Sequence, residues 1–188
     1  MVYQVLHLNR MRKICAILIS LICISADYVR MPIMQDPNNA NSKIKATFIY
    51  NFTKYIDWPE KYKEGNFVIG VLGTTSFYND LTALLTKKSV GKQIFEIKSY
   101  TNIESITGNC HILFIPADHS AQMADVLKKL KGKSTLIVTE KSGLAKQGSG
   151  INFVVENNKQ RFELNKTNIE KYDLKVSSTL ASLAIAVE

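Results

Sequence analysis

Phe67-Val68-Ile69-Gly70-Val71-Leu72-Gly73-Thr74-Thr75-Ser76 is the stretch that decides the fold. Its first six residues are apolar without alternation, as a strand covered on both faces requires. A glycine and small hydroxyl residues stop the strand and lead into a helical stretch, Ser76 to Thr86, with Phe77, Leu81, Leu84 and Leu85 turned inward. Strand, tight turn and helix in that order form the first half of a βαβ unit. The pattern continues with a strand at Gln93 to Tyr100, a short helix expected at Asn102 to Ile106, and a strand at His111 to Ile115 stopped by Pro116. A helix follows at Ser120 to Lys131, striped by Met123, Val126, Leu127 and Leu130, then a strand at Thr135 to Thr139. Alternation of this kind predicts a single α/β domain, a mostly parallel central sheet flanked by helices.

The two ends of that run depart from it. Ile151 to Glu156 and Lys159 to Leu164 flank Asn157-Asn158, a pair that tolerates positive φ, so a C-terminal antiparallel hairpin is expected. Helices are expected at Thr167 to Tyr172 and Val176 to Val187. Before the first strand, Ile44, Phe48, Ile49, Phe52, Tyr55 and Ile56 fall within an arc of about 140° on a helix over 43–57. Asn41 or Ser42 is its expected cap, and Pro59 prevents its continuation. The expected core contains Phe48, Phe52, Ile69, Val71, Leu113, Ile115, Ile137, Phe153, Phe162 and Leu183.

With 46% hydrophobic and 21% charged residues, the 188-residue chain has a globular composition. Arg10, Arg12 and Lys13 precede an apolar run, Ile14 to Ile24, and the small residues Ser25 and Ala26. That is the pattern of a secretory signal peptide over residues 1–25, cleaved near Ala26, with Met1 or Met11 as the start. An uncleaved anchor and a buried helix are the alternatives; Ile22 disfavours a lipidated Cys23. Residues 26–42, with Pro32 and Pro37, are expected as a flexible leader to a domain over 43–188. Removing residues 1–25 takes three of the 24 basic residues and none of the 16 acidic ones, so the formal charge falls from +8 to +5. The rest is spread in pairs such as Lys87-Lys88 and Lys128-Lys129, unlike the concentrated stripe that nucleic acid would need. Cys15 and Cys23 leave with the signal, and Cys110 remains alone at the entry to an apolar strand, an expected buried thiol without an internal disulfide partner.

Chemistry-bearing patterns are sparse, and no catalytic residue, cofactor or metal ligand is assigned. His111, Asp118 and His119 lack recognised metal-ligand spacing. Gly73, Thr74, Thr75 and Ser76 form a strand-to-helix junction that either is a plain tight turn or holds an anion on backbone N–H groups. Gly148, Ser149 and Gly150 close a glycine-rich loop that is either a crossover or a ligand cradle. Arg161 and Glu163 share a face of the last strand, where they pair with each other or meet a partner. Trp58 is a helix-end plug or an interaction anchor.

Two separated segments carry a family resemblance. Tyr50-Asn51-Phe52 with Trp58-Pro59, and Arg161-Phe162-Glu163-Leu164-Asn165, resemble the opening helix and closing strand of the YfiR family of small exported bacterial proteins. The likeness extends through Ile69 to Gly73, Cys110 to Ile115, Leu144-Ala145 and Ser177-Ser178. It departs at Ser149, where the family often has a second glycine, and in the single cysteine, where some relatives have disulfide pairs. The resemblance implies a non-enzymatic periplasmic repressor. Its partner would be a membrane-bound receptor, a diguanylate cyclase or sensor kinase, contacted through the periplasmic region, with cyclic di-GMP lowered as a result. A second copy of the chain is a further expected partner. The alternative is a periplasmic small-ligand receptor.

Overall fold

The computed structural model describes residues 37–188. The expected signal peptide, its cleavage site and the leader up to residue 36 lie outside the described residues. A 19-residue helix, α1 (Pro37–Tyr55), opens the fold and runs into a two-residue strand, β1 (Ile56–Asp57). A 3-10 turn at Glu60–Tyr62 leads to β2 (Phe67–Leu72), α2 (Ser76–Leu85), β3 (Ser89–Val90) and β4 (Gln93–Tyr100). β5 (Ile112–Ile115), a 3-10 segment (Ala117–Gln122), α3 (Met123–Lys129) and β6 (Leu136–Thr139) follow. The chain ends with the hairpin β7 (Ile151–Glu156) and β8 (Lys159–Leu164), then α4 (Lys166–Glu170), β9 (Lys175–Val176), α5 (Ser178–Leu183) and β10 (Ile185–Ala186).

Eight strands make one sheet in the order β10-β8-β7-β6-β5-β2-β4-β3, while β1 and β9 pair separately. Neighbours from β7 to β4 are parallel, and β7–β8 and β3–β4 are antiparallel. This is the expected mostly parallel sheet with its C-terminal hairpin. Every residue of β2, β5 and β6 is buried, which their unbroken apolar runs required. Asn157 and Asn158 take φ of 51° and 58°, the left-handed pair a two-residue hairpin needs.

One face of the sheet presents Ile69, Val71, Ile112, Phe114, Val138 and Phe153 to α1 and α2. The other presents Leu72, Leu113, Ile115 and Ile137 to α3 and the loop around Leu144. The period of two along each strand accounts for this division. Gly70 sits where a Cβ would lie 2.5 Å from the Tyr100 ring, so β2 and β4 pack tightly there.

Several expectations are corrected. α1 begins at Pro37, so Asn41 and Ser42 lie inside the helix and do not cap it. Its buried side is Ser42, Ala46, Ile49, Phe52 and Thr53, while Ile44 and Tyr55 are exposed. The docked face is thus turned by about 70° toward the small residues. Ala46 and Thr53 leave room for α1 to pack against α2, and Thr53 Oγ1 donates to the Tyr50 carbonyl at 2.7 Å. Phe48 is only half-buried, against the rings of Phe52, Phe153 and Phe162. Asn102 to Ile106 is a turn, in which the Asn102 side chain accepts the Ser105 N–H at 2.8 Å. The expected helix from Ser120 starts as a 3-10 segment and becomes α-helical only at Met123. The expected helix at 176–187 is three pieces, because Val176 pairs with Ile56 and Ile185 with Glu163. α5 is left with six residues, capped by Ser177 and buried at Leu180, so Leu183 is 57% exposed.

Candidate functional site

The sequence candidates fall in three places. The first is a topological switch point. β2 has β4 on one side and β5 on the other, so the chain segments leaving β2 and β5 diverge, and open parallel sheets bind ligands at such places. Gly73 has a φ of +80° and lies under the His119 ring, where a Cβ would come within 2.3 Å of Cε1. The topology therefore joins Gly73 with Asp118 and His119. Asp118 Oδ1 lies 2.9 Å from His119 Nδ1, and this bond holds the Asp118 carboxyl below its ordinary range. Thr75 precedes α2 but makes no side-chain cap bond, and its buried Oγ1 has no partner among the described residues. Thr74 and Ser76 are exposed beside it.

The second place is the loop over 143–150. Ser149 is fully buried and is the hub of a polar network. Thr139 Oγ1 lies 3.0 Å from Ser149 Oγ and donates to Asn152 Oδ1 at 2.7 Å; Asn152 Nδ2 donates to Glu163 Oε2 at 2.8 Å. Asn168 Nδ2 reaches the Ala145 and Ser149 carbonyls, and Asn165 Oδ1 accepts the Asn168 N–H. Ser149 thus fills with hydrogen bonds the place where a glycine would leave space. Gly150 packs so closely on Ile169 that a Cβ would lie 2.7 Å from Cγ1. Gly148 faces outward into a cavity of about 480 Å³ that Lys131, Lys146, Lys171, Leu127 and Tyr172 also line. Those three lysines form no ion pair among the described residues.

The third place is the face of β8. Arg161 reaches Glu156 at 3.5 Å, and Glu163 is held by Asn152, so Arg161 and Glu163 do not pair. Asn165 turns inward as the cap of α4. The three candidate groups do not converge on one pocket. Sequence reasoning missed the Thr139–Asn152–Asn168 network and the lysine-lined cavity. The only hint of the first was a polar residue set between Ile151 and Phe153; the lysines of the second are far apart in sequence and read as solvated singles.

The remaining candidates are engaged in structure. Cys110 is buried, its thiol donates to the Ile112 carbonyl at 3.1 Å, and burial pushes its pKa up to about 12. His111, 1% exposed, accepts the Val68 N–H on Nδ1 at 3.0 Å and places Nε2 2.7 Å from the Tyr62 carbonyl. Burial lowers its pKa, and the two bonds require the neutral Nε2–H form. Trp58 is a buried plug against Phe67 and His111. Among the described residues no three His, Cys, Asp or Glu side chains are grouped to hold a metal ion, and no helix is long and apolar enough to cross a membrane.

A mostly parallel sheet sealed on both faces, with its cysteine and central histidine committed to packing, defines an α/β domain. The chain belongs to the YfiR/HmsC-like family, whose model matches residues 42–185. No curated protein matches it. The family is periplasmic and regulatory, acts through contact with a protein partner, and connects the chain with cyclic di-GMP signalling.

Proposed function

We propose that this protein is a non-enzymatic periplasmic repressor that binds the periplasmic sensor region of a membrane-bound receptor, with a diguanylate cyclase as the first candidate. The observation that carries this reading is the family match across 42–185. The state of Cys110 supports it, since a buried thiol raised to about 12 is a poor nucleophile. Repression then needs only a difference in affinity between two receptor conformations. The repressor binds the inactive form more tightly and draws the population toward it.

The test is capture of membrane proteins from envelope extracts on the tagged protein, with cellular cyclic di-GMP measured alongside. A stoichiometric receptor and a lowered second messenger are expected. Cys110→Ser and His119→Asn, each checked for folding, are expected to leave repression unchanged. Loss of repression in either folded variant would replace this reading with an enzyme or a metal site.

One observation favours the alternative, a small-ligand receptor: the cavity beside Gly148, with three lysines on its wall and Leu127 and Tyr172 as apolar surface. Its signature would be a stoichiometric anionic molecule carried by the purified protein, with no receptor captured.

A further inference from the structure

The Trp58 indole is well packed but not satisfied. It is 5% exposed, and its Nε1–H is closed to water and has no hydrogen-bond partner among the described residues. A buried donor left unpaired is destabilising, so its presence calls for an acceptor. The indole forms part of the wall of a cavity of about 300 Å³ between the end of α1 and the β3–β4 turn. Ile56, Phe67 and Val90 supply its apolar lining. Gln93, 7% exposed, makes another part of the wall rigid. Its Nε2 lies 3.0 Å from the Tyr62 carbonyl and 3.3 Å from those of Glu64 and Gly65, which ties the 62–65 turn to β4. A small, mostly apolar cavity with a few polar groups on a fixed frame has the character of a ligand site.

The charges around the cavity select what it takes. Asp57, Lys63 and Lys92 also line it. Lys63 Nζ lies 3.0 Å from Asp57 Oδ1 and 2.8 Å from Glu60 Oε1, so the Asp57 charge is already answered. Lys92, in the turn between β3 and β4, makes no ion pair among the described residues. One uncompensated cation and one unpaired N–H both favour an anionic oxygen acceptor. A second negative group would face Asp57, so a single charge fits best. We propose that this cavity binds a small monocarboxylate with an apolar body. The body lies along Ile56, Phe67 and Val90, and Lys92 meets the carboxylate. A slight tilt of the indole gives its N–H to one carboxylate oxygen. The site shares no lining residue with the lysine-lined cavity beside Gly148 and stands independently of any receptor.

Trp58 is the only tryptophan of the chain, so its fluorescence reports on this cavity. Sodium octanoate, titrated into protein purified from cells expressing the full chain, should change that emission saturably, with a dissociation constant on the order of 0.1–1 mM. Octanol has the same tail without the charge, and octylammonium reverses it; each should bind at least about threefold more weakly. Lys92→Glu, in an exposed turn, should weaken octanoate at least about threefold and leave octanol unchanged. Trp58→Phe keeps an aromatic ring but removes the N–H, and calorimetry should show it losing octanoate more than octanol. Circular dichroism establishes folding, and where Trp58→Phe does not fold Lys92→Glu decides. The absence of a saturable emission change with octanoate overturns the proposal, as does octanol binding as tightly as octanoate. A Lys92→Glu protein with unchanged octanoate affinity, or a folded Trp58→Phe protein with an unchanged preference for octanoate, overturns it too.

Discussion

The two faces of the central sheet are built differently. The face under α1 and α2 is aromatic: Phe52, Phe77, Phe114, Phe153 and Phe162 meet with ring centroids 4.4 to 6.3 Å apart. The opposite face is mostly aliphatic, with Leu72, Leu113, Ile115, Val126, Leu130 and Ile137 around Tyr100 and Cys110. Long regular helices cover the first, while a short helix, 3-10 turns and a loop cover the second. Large rings fix the position of a helix because they fit in few orientations. An aliphatic face under irregular chain has to use hydrogen bonds for the same purpose, which is where the Thr139–Ser149–Asn152 network lies.

The comparison breaks first at Phe52. Phe52→Ala empties a fully buried site between Phe153 and Phe162 and should cost about 3–5 kcal/mol in urea denaturation. A loss below about 1 kcal/mol would mean that α1 is not docked through its rings. On the other side, Asn152→Ala removes the main acceptor of the Thr139 hydroxyl and the donor to the Glu163 carboxylate and should cost about 1–3 kcal/mol. An unchanged denaturation midpoint would show that the network does not secure the loop.

How far each face was legible follows from the same contrast. β2, β5 and β6 carry unbroken apolar runs, so their burial on both sides could be read directly. The direction of α1 could not. Periodicity favoured the side containing Ile44 and Tyr55, whereas the docked side includes Ala46 and Thr53, whose small size matters only once α2 is in place. The C-terminal segment misled for a related reason. Its apolar residues suit a helix, but β1 and β8 offer open backbone to Val176 and Ile185, and a strand partner is invisible in local sequence. For the candidate site, the tight turn at Gly73 was legible, while His119 above it required the crossover from β4 to β5.

His111 sharpens the comparison, because it anchors the 3-10 turn at Tyr62 to β2. Its folded pKa lies below the ordinary value of about 6.5 because it is buried. The unfolded chain therefore takes up the proton first as pH falls. The stabilisation is fully present above about 6.5, declines between that value and the lower folded pKa, and is gone beneath it. Denaturation midpoints between pH 7.5 and 4.5 should show this slope, and His111→Gln should flatten it. A midpoint independent of pH would mean that His111 accepts a proton without losing its place. The smallest effect is expected where neither face is involved: Leu183→Ala, at an exposed position, should change stability by less than about 0.5 kcal/mol.

The pairing of Ile56 with Val176, and of the rings of α1 with those of β7 and β8, has a consequence for timing. α1, the first of the described helices, has aromatic partners in the last quarter of the chain. Until those arrive, α1 has α2 and the middle strands to rest on but lacks the rings of β7 and β8, and contacts this distant make closure slow. The C-terminal strands therefore act as the latch that commits α1 to the sheet.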